Sequence, residues 1–76
     1  MDQEISTYTV RVSKKDSSML YFILESNENI AFYSTLPGDK AEGYRDIQIN
    51  CHISMKRHLD SVLEHFSKKY PIEYLS

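Results

Sequence analysis

The apolar period changes several times along this chain, and the order of those changes limits its fold more than any other feature. From Ile5 to Val12 the residues alternate, with Tyr8, Val10 and Val12 to one side and Thr7, Thr9 and Arg11 to the other. Successive strand side chains point to opposite faces, so this pattern predicts a half-buried strand. At Ser13 the spacing becomes helical. Ser13-Lys14-Lys15-Asp16 has capping-box spacing, in which the serine oxygen accepts the amide of Asp16. Met19, Leu20, Ile23 and Leu24 follow at helical intervals and predict a helix of about three turns, which Ser26-Asn27-Glu28-Asn29 breaks.

Ile30 to Thr35 predicts a second strand, with Ile30 and Phe32 on one face and Ala31, Tyr33 and Thr35 on the other. Pro37-Gly38 is a turn signal, because proline presets one dihedral and glycine accepts a positive one. A third strand is predicted from about Tyr44 to Cys51, with Ile47, Ile49 and Cys51 inward and Asp46, Gln48 and Asn50 outward. The second helix has the clearest pattern. Met55, Leu59, Val62, Leu63, Phe66 and Tyr70 form one stripe over about four turns, with Ser54 as its expected N-cap. Lys68 and Lys69 fall in its last turn, where positive charge suits the helix dipole, and Pro71 ends it. Ile72 to Leu75 is long enough for a short closing strand.

The order β-α-β-β-α-β in 76 residues leaves room for one domain, 1–76. Two right-handed crossovers within one sheet then give a ferredoxin-like α+β sandwich, a four-stranded antiparallel sheet with two helices on one face. The first and third strands are expected at the centre, and the second and fourth at the edges.

That architecture hosts unrelated activities, so function has to be argued from residues. An RNA-recognition module would stack bases on aromatics of the two central strands. The corresponding positions are Thr7, Thr9, Arg11, Asp46, Gln48 and Asn50, none of them aromatic, and the net charge is -2. No nucleic-acid partner is expected. A soft-metal carrier needs paired thiolates, and Cys51 is the only cysteine. It is read as a buried free thiol, with no disulfide and no oxidising compartment required. Cys51 and His52 diverge as strand neighbours, so they make no nucleophile-base pair. His58 and His65 share a helix side about 10 Å apart, too far for one ion. No catalytic residue, metal site or cofactor is expected. No apolar run approaches the roughly 20 residues that cross a bilayer, and Met1-Asp2-Gln3-Glu4 does not resemble a secretory signal. A globular, cytoplasmic protein without membrane contact is expected.

Two surfaces remain as binding candidates. The segment after the first strand (Ser13, Lys14, Lys15 and Ser17) joins two cations to a helix N-terminus and is the candidate site for an anion or small molecule. Among the aromatics, which make up 12% of the chain and exceed what so small a core can cover, Tyr33 is the candidate interface residue. It is expected on an edge strand, facing away from the helices.

Lys15-Asp16, Met19-Leu20-Tyr21-Phe22-Ile23-Leu24-Glu25-Ser26 and Ile30-Ala31-Phe32-Tyr33-Ser34-Thr35-Leu36 together resemble a family of small bacterial proteins of unknown function. The resemblance covers about a third of the chain, over the first helix and second strand, and implies no activity. More distantly, the element order is similar to the ACT-type regulatory domains, with Asp16-Ser17-Ser18-Met19-Leu20 standing where those domains carry an Asp-x-Pro-Gly-x-Leu turn. That likeness implies effector binding at a dimer interface. The expectation is therefore a non-catalytic regulatory or protein-interaction module that forms a homo-oligomer, a dimer. The alternative is an effector-binding domain that uses Ser13, Lys14, Lys15 and Ser17.

Overall fold

A computed structural model of the chain describes residues 4–27, 30–37 and 43–75. The elements run β1 (Ile5–Ser13), α1 (Lys14–Ser26), β2 (Phe32–Thr35), β3 (Tyr44–His52), α2 (Lys56–Ser67) and β4 (Glu73–Tyr74), with a 3-10 turn over Ile53–Met55 before α2. The sheet order is β2-β3-β1-β4 and every neighbouring pair is antiparallel. This is the ferredoxin-like α+β arrangement that the element order predicts, with β1 and β3 at the centre.

The alternation of β1 and β3 becomes the two sides of the sheet. Val10 faces Ile47 across the ladder and Tyr8 faces Ile49. Val10, Val12, Ile47, Ile49 and Cys51 are buried with Leu20 and Leu24 of α1 and Leu59, Leu63 and Phe66 of α2. Both helices therefore cover one face. On the other, Thr7 pairs with Asn50, Thr9 with Gln48 and Arg11 with Asp46, so the central positions of that side are polar as expected, while Ile5 and Tyr44 leave apolar surface at the strand ends.

Ser13 caps α1, its side chain accepting the Asp16 amide at 3.3 Å. The stripe on α2 also holds. Leu59, Leu63 and Phe66 are fully covered, and Met55, Val62 and Tyr70 pack against them. The expected cap moves, however. His52 Nδ1, not Ser54, accepts a backbone amide, that of Ser54 at 3.1 Å, and α2 itself begins after Met55 with no side-chain cap. The 3-10 turn shifts the helix N-cap by one residue, from Ser54 to Met55, so Ser54 lies inside the turn that precedes the helix it was expected to cap. At the other end α2 stops at Ser67. Pro71, whose ring disfavours helix in the residue before it, keeps the helix from running further.

Strand β2 is the main correction. Tyr33 lies opposite Ile49 and Thr35 opposite Ile47, so both point toward the helices. Phe32, opposite Asn50, points the other way and is 81% exposed. The expected faces are thus reversed, and Tyr33 does not face away from the helices. Ile30 is buried at 2% exposure but precedes the ladder, its amide bonding to Asn27 O at 3.1 Å. Its burial therefore does not set the parity of the strand. A tyrosine also suits the layer edge, where the ring is covered and the hydroxyl still finds a partner. Tyr33 stacks on Tyr21 of α1 (4.8 Å between centroids, 14° between planes) and its hydroxyl donates to Glu25.

Gly43 opens β3 at φ +86°, a conformation that favours glycine, and its carbonyl accepts the Lys14 amide at 2.9 Å. Of the Pro37-Gly38 turn, Gly38 lies outside the described residues.

Candidate functional site

The expected binding segment contains no loop. Ser13 is the last residue of β1 and Lys14 the first of α1, so the helix starts directly from the strand. The side chains consequently part company. Ser13 and Lys15 line a cleft of about 360 Å³, together with Arg11, Asp16, Tyr44 and Glu73, and with Val12 and Ile72 as apolar wall. Lys14 is exposed and does not line the cleft. Ser17 is buried at 3% exposure, its hydroxyl donating to Lys14 O at 2.8 Å. A Ser17 hydroxyl held inside the helix cannot serve a ligand, which removes it from the expected set.

Charge in the cleft is largely paired. Arg11 forms a bidentate pair with Asp46, Nε to Oδ1 at 2.7 Å and Nη2 to Oδ2 at 3.1 Å. Glu73 of β4 lies opposite Arg11 on its other flank. The hydrogen bond to Asp46 holds the Arg11 guanidinium above its ordinary range, so this cation is committed to the sheet. Asp16 occupies the first turn of α1, where an anion would otherwise meet the helix dipole. Lys15 is the remaining cation of the described lining.

A second cluster brings together residues that lie far apart in sequence. The Tyr8 hydroxyl donates to Asp60, Lys56 pairs with the same carboxylate at 3.3 Å, and the Lys56 ammonium sits 5.4 Å from the Tyr8 ring centroid. Tyr74 meets Tyr8 edge-on at 5.8 Å. The bond to Asp60 raises the Tyr8 phenol above its ordinary range, and the bond to Glu25 does the same for Tyr33. A phenol bound this way keeps its proton more tightly in the folded chain than in the unfolded one. The resulting stabilisation is complete below about pH 10 and is lost as pH rises through the higher folded values. Urea midpoints should therefore fall over the alkaline window above about pH 10, and Tyr8→Phe should flatten that fall. A midpoint independent of pH across the window would contradict the two phenol-carboxylate bonds.

Cys51 is 2% exposed, and burial pushes its thiol up, away from the reactive thiolate. The His52 imidazole is engaged with Ser54, Nδ1 to Oγ at 2.8 Å. Among the described residues no group of three or more His, Cys, Asp or Glu is placed to hold a metal ion. No helix among them is long and apolar enough to cross a membrane.

The remaining feature is apolar surface. Phe22 on α1 is 64% exposed, beside Met19 and the half-buried Ile23, and Phe32 is the most exposed large hydrophobic residue described. Sequence spacing could not separate Phe22 from its neighbours, because Met19 to Leu24 is apolar on every side of the helix.

No curated protein and no solved structure matches the chain. A family defined by a domain of unknown function, DUF4911, matches residues 10–69, from the middle of β1 through the two lysines after α2, and the chain belongs to that family.

Proposed function

We propose that this chain is a non-catalytic interaction module, regulatory in role, that associates with a second copy of itself. The observation that carries the reading is Phe32, with 81% of its surface in water on an edge strand. Large exposed rings contribute nothing to a core that closes without them, and they are what protein interfaces collect. On the uncovered sheet side Thr7 Oγ1 donates to Asn50 Oδ1 at 2.7 Å and Arg11 is paired with Asp46. The Cys51 thiol is inside and the His52 ring is occupied. A reduced, bacterial cytoplasmic setting fits a chain whose one thiol is free and buried.

Sedimentation velocity tests the reading. The weight-average coefficient should rise from monomer toward dimer between about 5 and 500 µM, the range of a small, transient interface. Phe32→Ser should weaken association at least ~10-fold while leaving stability within about 0.5 kcal/mol, since the ring is exposed. A strict monomer throughout would remove the self-association.

The cleft beside Ser13 and Lys15 supports a second reading, an ACT-like effector site narrower than the sequence suggests. Its support is the convergence of those two residues with Tyr44 on one concave surface. A melting-temperature rise with a carboxylate or phosphate compound, lost in Lys15→Ala, would establish it.

A further inference from the structure

The two edges of the sheet differ in how they are protected. Strand β4 is two residues long and carries Glu73, and shortness and charge are both devices that keep a sheet edge from pairing with another chain. Strand β2 is twice as long and carries no charged residue. From Ile30 to Leu36 the sequence is Ile-Ala-Phe-Tyr-Ser-Thr-Leu, with no Asp, Glu, Lys, Arg, His or Pro. Its register against β3 runs without a bulge from Phe32↔Asn50 to Thr35↔Ile47.

Register also settles which way each backbone group of β2 points. The Leu36 amide donates to Asp46 O at 2.8 Å. In an antiparallel ladder hydrogen-bonded and non-hydrogen-bonded pairs alternate. Phe32, Ser34 and Leu36 therefore turn their backbone groups to β3, while Tyr33 and Thr35 turn theirs to the outer edge, as Ala31 does once the strand is extended by one residue.

We infer that two copies of this chain pair antiparallel through β2, about a twofold axis at Tyr33, giving one continuous eight-stranded sheet. This deepens the self-association reading and rests on it. The occupant is a second copy because the edge complements itself. With Tyr33 opposite its own counterpart, Ala31 meets Thr35 of the other copy and Thr35 meets Ala31. Each of these three pairs turns both backbone groups outward, so all are bonded. A shift of two residues either way leaves one such pair unmatched. Phe32 then lies across from Ser34 of the other copy and diagonal to the other Phe32, within reach of an aromatic ring. No formal charge on the strand opposes the approach. The pairing brings an apolar neighbour to the Phe32 ring, which is 81% exposed in the single chain.

Amide hydrogen exchange measured by NMR at about 20 µM and about 1 mM, with sedimentation on the same samples, tests the inference. On concentration, exchange at Tyr33 and Thr35 should slow at least ~10-fold, while the Phe32, Ser34 and Leu36 amides, already bonded to β3, change little. Ser34→Lys, at an exposed position, places a cation from each copy beside the axis. It should remove the concentration dependence without changing the melting temperature. Dimers whose Tyr33 and Thr35 amides stay unprotected would overturn edge pairing and leave self-association standing. Protection that is equal at both concentrations would overturn it too, since the edge would then be covered within one chain. A monomer at both concentrations would overturn both readings.

Discussion

Replacing Phe66 with alanine should cost about 3–5 kcal/mol, the range for a buried aromatic cut back to a methyl group. Phe66 is 1% exposed, sits in the core with Leu59 and Leu63 of α2, and packs on Tyr70 at 4.9 Å between ring centroids. The chain is too small to absorb the loss. At roughly 0.05–0.15 kcal/mol per residue a domain of this length is stable by only about 4–11 kcal/mol. The variant should be marginal or unfolded at 37 °C (~310 K), with its urea midpoint displaced accordingly. Phe22→Ala, removing a ring of equal size that is 64% exposed, should move the midpoint within about 0.5 kcal/mol. Equal effects at the two positions would mean that α1 and α2 are rotated from the faces described.

The second large effect separates neighbours on one strand. Ile49 is fully buried beneath the helices and Gln48, the residue before it, faces the open side opposite Thr9. Ile49→Ala should lose about 2–5 kcal/mol, because the methyl and ethyl branches leave a cavity that the packed layer closes only in part. Gln48→Ala should lose about 0.5 kcal/mol or less, since its side chain keeps contact with water. Chemical denaturation of both, with unchanged slopes, gives the comparison. A one-residue slip of β3 would exchange the two values, because slipping turns every side chain to the other face.

The features that survive from sequence to structure are those with a period long enough to average over local exceptions. The α2 stripe from Met55 to Tyr70 repeats over several turns, and β3 alternates across its whole length. Strand β2 does not have that advantage. It is four residues long, and Ile30, apolar and buried but outside the ladder, suggests the wrong parity for Phe32 and Tyr33. The loss of Ser17 from the candidate site has a different cause. Its spacing from Ser13 is visible in the sequence, but whether the intervening residues form a loop or a helical first turn decides which side chains point outward. The bond between Tyr8 and Asp60 spans 52 positions and joins residues that no local pattern connects. By contrast, the Arg11–Asp46 pair follows from the outward positions of two adjacent strands once their register is known.

The uncovered sheet side carries the functional reading, since its central positions are polar and Phe32 is the most exposed of the large apolar groups on it. A soluble paramagnetic relaxation agent added to methyl-labelled protein at low concentration examines that sidedness without altering the chain. The methyl signals of Ile5 and Thr7 should broaden, and those of Val10, Ile47, Ile49, Leu59 and Leu63 should stay sharp. Broadening of Val10, Ile47 and Ile49 with protection of Thr7 would contradict the account.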